Sequence, residues 1–217
     1  GIRSIPFAPA RCPLKCSGAE FQKWSGVRAD GRVTLFLDGV PVVSESGELQ
    51  LTSYGISGIP VFQVSRYAVR ALEEGALVEA ELDFFPDMEE DAFAALLNHR
   101  MMSCTYKTQE ELLIGLLPDK LIPLALRNGR ELDVIAHAVK HVRLKVKDSA
   151  GFERAQVSSG GVDLAEVSDQ LESMRYPGLY FAGEVLDVDG ACGGYNLHWA
   201  WVTGAIAGFS AAKEEEE

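Results

Sequence analysis

The sequence predicts an α+β chain: an antiparallel β-sheet, barrel-like in character, a small helical part, and a closing strand–loop–helix of α/β type. Three observations carry this reading. Residues 33–55 run VTLFLDGVPVVSESGELQLTSYG, apolar stretches on either side of Asp38-Gly39, which is a strong hairpin signal. Between residues 88 and 142 the apolar residues recur at helical spacing. Residues 178–208 read GLYFAGEVLDVDGACGGYNLHWAWVTGAIAG, a short apolar run, a glycine-rich turn and a long apolar run. The expected divisions are 1–87 for the β part, with one helix near 60–74, then 88–142 for the helical part, and 143–217 for the last part. They rest on changes of hydrophobic period near 87 and 143.

The opening IPFAPARCPL carries Pro6, Pro9 and Pro13, which forbid a helix and suit an extended edge segment. After the Asp38-Gly39 hairpin, a second turn is expected around Ser46-Gly47. Val61, Val64, Ala68, Val69 and Leu72 then fall at helical spacing, with Pro60 in the first turn and Gly75 as the stop. Two readings stand for the preceding Gly55-Ile56-Ser57-Gly58. One is a loop over a ligand. The other is a tight strand-to-helix turn with Ser57 as the cap. It lacks the last glycine of a nucleophile elbow, so a serine hydrolase is not expected.

LVEAELDFF, residues 77–85, alternates as a strand does. Short helices follow, with Asp87 and Thr108 as expected caps. His137 and His141 are four apart and share a helix face. No third ligand is near them in sequence, so a solvated face is expected and no metal site. VRLKVK, residues 142–147, reads as a strand with Phe152 to Val157 pairing back onto it across Ser149-Ala150-Gly151. Leu179 to Ala182 reads as a buried strand leading into the glycine-rich turn.

The chain has 217 residues and a formal net charge of −12. That charge argues against nucleic acid and anionic membranes as partners. Part of it is the tail Lys213 to Glu217, read as a disordered, solvated end. Cys12, Cys16, Cys104 and Cys192 form no CxxC pair, and reduced thiols in a cytoplasmic protein are the simple expectation. No apolar run is long enough to span a membrane without interruption.

Strand, glycine-rich turn and helix bring a ligand onto bare backbone at a helix N-terminus, where unpaired amides and the helix dipole favour an electron-rich edge. YFAGEVLDVDG and GGYNLHWAW resemble the C-terminal flavin-binding segment of the YhiN/BaiN-type flavoproteins, which carry dinucleotide-binding folds. IPFAPARCPL, the GxSG turn and Ser158-Ser159-Gly160-Gly161-Val162 resemble further words of that family. Arg11 stands where relatives are usually apolar, and Ser158 where threonine is usual. The resemblance implies FAD as cofactor, a nicotinamide donor, NAD(P)H, and a small-molecule substrate. It implies that Glu184, at the end of AGE, meets the ribityl chain; a helix-capping or loop-bracing acid is the alternative. Gly193, Gly194, Tyr195, Asn196 and Leu197 would face the flavin pyrimidine edge, with Gly183 and Asp189 in the same set. For Asn196 a helix-capping role is the alternative. Gly160 and Gly161 either approach the flavin or serve packing alone. No catalytic side chain is identified.

No GxGxxG occurs anywhere, although the family uses one for the FAD pyrophosphate and adenosine. The chain therefore reads as the middle and C-terminal part of an FAD-dependent oxidoreductase, a truncated chain or one half of a split enzyme. It would contribute an insert domain and the flavin-facing segment. Its expected partner is the missing N-terminal dinucleotide-binding half or a second copy of itself. Alone, it is expected to be inactive and to bind FAD weakly or not at all.

Overall fold

The computed structural model describes residues 1–18 and 21–214. The expected disordered tail lies mostly outside the described residues, since those after 214 are not among them. In chain order the elements are β1 (Ser4–Ala10), β2 (Leu14–Cys16), α1 (Phe21–Trp24), β3 (Arg28–Leu37), β4 (Val40–Thr52), β5 (Gly55–Ser57), α2 (Ile59–Glu73) and β6 (Val78–Asp83). Then come α3 (Glu90–Ser103), α4 (Gln109–Leu113), α5 (Ile122–Ala125), α6 (Leu132–Lys140), β7 (Val142–Ser149), β8 (Val157–Val162) and α7 (Tyr195–Glu214). The chain divides into two compact units, Pro13–Ala150 and the pair Gly1–Cys12 with Gly151–Glu217. The boundaries expected near 87 and 143 fall inside the first of these units, where β6 gives way to α3 and α6 to β7.

The unit Pro13–Ala150 is built on a closed antiparallel barrel in the order β2-β5-β4-β3-β6-β7. Asp38 and Gly39 both have positive φ, 49° and 82°. This is the backbone a two-residue hairpin needs to follow the strand twist. Inward residues Val33, Leu35, Leu49, Leu51, Val78, Ala80 and Leu82 are buried, and α2 adds Val61, Val64 and Ala68 to the same core. Each fully buried valine or leucine contributes about 1.5–3 kcal/mol over its exposed state. Helices α3 to α6 join that core through Phe93, Leu97, Leu113, Leu124 and Ile135. Thr108 caps α4 as expected, its hydroxyl accepting from Glu111 N–H while the Glu111 carboxylate accepts from Thr108 N–H at 2.7 Å.

Three expectations for this unit are corrected. There is no turn at Ser46-Gly47: β4 runs straight through, Gly31 pairing with Gly47. Gly47 has φ 147° and lies close to the start of α2, where a Cβ would sit 3.1 Å from Pro60 Cγ. Asp87 does not cap α3; Glu89 holds that position without a side-chain hydrogen bond. The GxSG stretch is a tight strand-to-helix turn, but Ser57 is not its cap. Ser57 is buried in β5, and Gly58 takes the cap position with φ 105°. A Cβ on Gly58 would lie 2.4 Å from Glu48 carbonyl oxygen.

In the other unit, β1 pairs antiparallel with β8, Ser4 opposite Val162 and Ala10 opposite Val157. The proline-rich opening is thus the expected extended segment. Phe152 to Val157 does not pair with β7. Residues Phe152–Arg154 form a 3-10 turn, and β8 takes β1 as its partner. The expected strand over Leu179 to Ala182 is reduced to one bridge, Glu172 with Tyr180. Its backbone is held by residues 171–173, Ser173 N–H donating to Leu179 carbonyl at 2.7 Å and Phe181 N–H to Leu171 carbonyl at 3.0 Å. Among the described residues no further strand lies alongside to extend it. A small core of Leu171, Leu186 and Ala207, with Val162, Phe181 and Trp199 against it, holds α7 in place.

Candidate functional site

The predicted site residues all belong to the unit that holds α7. At Gly183 the chain turns left-handed, with φ 73°, and enters a 3-10 turn, Gly183–Val185. Gly183 is stitched to α7. Its N–H donates to Thr203 Oγ1 at 2.8 Å, and its carbonyl accepts from Trp199 Nε1 at 3.2 Å. Thr203 in turn donates to Trp199 carbonyl at 2.6 Å. The turn and the helix are thereby fixed in one register. Glu184 stands next in the chain with its carboxylate exposed. An exposed carboxylate beside a fixed turn is placed to accept hydrogen bonds from outside the protein.

The glycines fall into two groups, and the difference is physical. Gly160 and Gly161 have positive φ, 101° and 133°. A Cβ at Gly160 would lie 2.4 Å from Pro6 carbonyl oxygen, and one at Gly161 2.4 Å from Val185 carbonyl oxygen. These are the protein's own backbone, so the packing reading accounts for both. Asp187 Oδ1 accepts from Gly160 N–H at 3.0 Å, and Asp187 N–H donates to Val162 carbonyl at 3.0 Å. Gly193 and Gly194 also have positive φ, 123° and 93°, but a Cβ on Gly194 would meet nothing within 4 Å. Their left-handed backbone makes the turn into α7 while leaving its outer side open.

The first bond of α7 runs from His198 N–H to Gly194 carbonyl at 3.0 Å. The amides of Tyr195, Asn196 and Leu197 therefore precede the helical ladder and carry the partial positive charge of that end. Tyr195 and Leu197 are exposed and Asn196 is buried. Asn196 does not cap the helix, since it lies inside it. Its Oδ1 accepts from Gly190 N–H at 2.7 Å, and its Nδ2 is buried with no hydrogen bond among the described residues. Asp189 is half-buried in the loop before the glycines. Arg11, unexpectedly polar in the sequence, is buried and donates through Nη2 to Gly190 carbonyl.

Arg11, Asp187 and Thr203 hold the loop and were not singled out from sequence as site residues. Their partners lie too far along the chain for spacing to show them. Trp201 is 79% exposed. A groove of about 430 Å³ runs beside it, lined by Leu197, Ala200, Trp201, Gly204 and Ala205.

The residues present fit the flavin that the sequence resemblance implies, in its ring and ribityl portions. They offer an outward carboxylate at Glu184, an open glycine turn, helix-start amides and the unsatisfied Asn196 amide. Among the described residues no helix is long and apolar enough to cross a membrane.

Comparison with known proteins places this geometry in a wider context. Residues 45–210 match the family model described as HI0933-like protein Rossmann domain. The chain is similar to a 3-dehydro-bile acid delta(4,6)-reductase of Clostridium scindens, 41% identical over 96% of this chain and 54% of that protein. It is also similar to ribosomal RNA dihydrouridine synthases of Haemophilus influenzae and Escherichia coli. These are 32% and 33% identical, over 77% and 70% of this chain and 43% and 39% of those proteins. The chain spans about half the length of the curated relatives it matches.

Proposed function

The chain belongs to the HI0933-like family, that of the YhiN/BaiN flavoprotein oxidoreductases, and from this we propose that it is the insert and flavin-facing part of an FAD-dependent reductase that uses NAD(P)H. The observation that carries the reading is the Gly193-Gly194 turn, strained for any side chain by its φ yet open on its outer side. The amides of Tyr195, Asn196 and Leu197 would hold the pyrimidine edge, with Gly183, Asp189 and the Asn196 amide around it. Glu184 would hold the ribityl hydroxyls. When bound, FAD supplies hydride chemistry, and the protein binds, orients and tunes it. The partly positive helix end would favour the electron-rich form of that edge.

The similar proteins are named as a delta(4,6)-reductase and as dihydrouridine synthases. We read both as additions of hydrogen across a ring double bond and propose that reaction class here. The net charge of −12 favours a small-molecule substrate over RNA. Cytoplasmic residence is part of the same reading.

A second reading rests on the exposed face of α7. With Leu197, Trp201 and Phe209 all largely exposed, the helix offers apolar surface for a further layer. That layer would be an N-terminal dinucleotide-binding half or a second copy, without which the chain binds no FAD and is inactive. The visible spectrum of the purified chain, with and without added FAD, separates the readings. A bound flavin band that Glu184→Ala weakens supports a site built by this chain. No band at excess FAD supports the second reading, and a band unchanged in the variant removes Glu184 from the ribityl role.

A further inference from the structure

The unit Pro13–Ala150 holds a cluster that sequence spacing left as two histidines on one helix face. His137 lies on α6, and His141 ends that helix with its N–H on His137 carbonyl at 2.9 Å. Their rings stack with centroids 4.6 Å apart. Glu90, the first residue of α3, reaches both. Its Oε2 lies 3.4 Å from His137 Nδ1 and 3.2 Å from His141 Nε2. One donor atom from each of the three residues lies within 4.8 Å of the others.

Those separations have a meaning. Zinc–nitrogen and zinc–oxygen bonds of about 2.0–2.1 Å at tetrahedral angles space neighbouring ligand atoms ~3.3 Å apart. Both oxygen–nitrogen distances match one edge of that tetrahedron. The rear of His141 is held as well. Its Nδ1 lies 3.3 Å from Glu81 Oε2 on β6, and that oxygen accepts from Arg143 Nε on β7 at 2.8 Å. A carboxylate behind the ring selects the tautomer with the proton on Nδ1 and turns the Nε2 lone pair forward. In that tautomer Nε2 keeps a lone pair 3.2 Å from a Glu90 oxygen, and a cation held by both is favoured.

We propose that Glu90, His137 and His141 form a binding site for a divalent transition metal, zinc foremost, with Glu81 as the positioning residue behind His141. Three protein ligands leave a fourth position for water. Two histidines and one carboxylate suit zinc better than calcium or magnesium, which take oxygen ligands.

The test uses the whole chain, freed of metal by a chelator and dialysed, titrated with zinc chloride by calorimetry and with cobalt(II) by visible absorption. The expected result is one zinc per chain and the intense visible bands of four-coordinate cobalt. His137→Ala and Glu90→Gln abolish both signals. Glu81→Gln lowers zinc affinity about 10–100-fold, as loss of an outer partner does. His99→Ala, at an exposed histidine elsewhere on α3, leaves both unchanged. Circular dichroism confirms that each variant is folded. Absence of zinc binding overturns the proposal and leaves His141 as a ring lying between the Glu81 and Glu90 carboxylates. Zinc binding that survives both His137→Ala and Glu90→Gln overturns it too, placing the metal on other side chains.

Discussion

Arg11 and Cys16 lie five residues apart and show opposite answers to burial. Arg11 adopts φ 53°, and its guanidinium satisfies the Gly190 carbonyl. A charged donor is costly to bury unless it is bonded, and here the bond also anchors the site loop. Sequence marked Arg11 as unusual but could not show its partner, 179 residues away. Burial pushes the Cys16 thiol from 9.0 up to about 12, and a backbone hydrogen bond from Ile56 offsets that only in part. Two outcomes are expected. At pH 8, iodoacetamide should modify half-buried Cys16 far more slowly in the folded chain than in an unfolded control, as peptide mass mapping would read. Modification of Cys16 at the rate of an unfolded control would refute its burial. The sign of the pH effect also follows. The unfolded thiol ionises first, so this group's contribution to stability is complete below about pH 9 and is lost as pH rises toward 12.

At the scale of elements, glycine pairs do two different jobs that look alike in sequence. Gly160-Gly161 lets β8 lie against β1 on one side and the Val185 turn on the other. Gly193-Gly194 turns the chain into α7 and presses on no neighbouring backbone. Substitution separates them. Gly161→Ala sets a Cβ 2.4 Å from Val185 carbonyl oxygen at φ 133°. It should cost about 3 kcal/mol or more, as strained and overpacked sites do. Gly194→Ala meets no atom and carries only the strain of its φ, about 1–2 kcal/mol. Urea unfolding followed by far-ultraviolet circular dichroism would order the two. Equal losses would mean that the open side of Gly194 is not open in solution. Local signals such as the Asp38-Gly39 hairpin and the Thr108 capping box were legible because each is complete within four residues. Pairing of β8 with β1 was not, because the choice between β1 and β7 depends on contacts about 150 residues apart. The same holds for Glu90, which no spacing rule joins to His137.

At the scale of the molecule, α7 is the element whose surroundings fit its composition least. Among the described residues, only Asn196, Thr203 and Ala207 are buried along it, a single seam, although the helix is apolar nearly all round. A helix of that kind is ordinarily enclosed. Here Trp201 is 79% exposed, Phe209 74% and Leu197 70%, while Gly204 and Gly208 face open space. A Cβ on either glycine would meet no neighbour among the described residues. Contiguous exposed apolar surface marks interaction sites, and the small residues would let another backbone approach closely. The expected outcome is that the chain self-associates through α7 when no other partner is supplied. Sedimentation velocity should show the weight-average mass rising with concentration, and Trp201→Glu should return it toward the monomer. That substitution changes an exposed position, so the unfolding midpoint should move by about 0.5 kcal/mol or less. A wild-type chain that stays monomeric at high concentration would rule out a second copy as the occupant. Association that persists in Trp201→Glu would place the contact away from this face of α7.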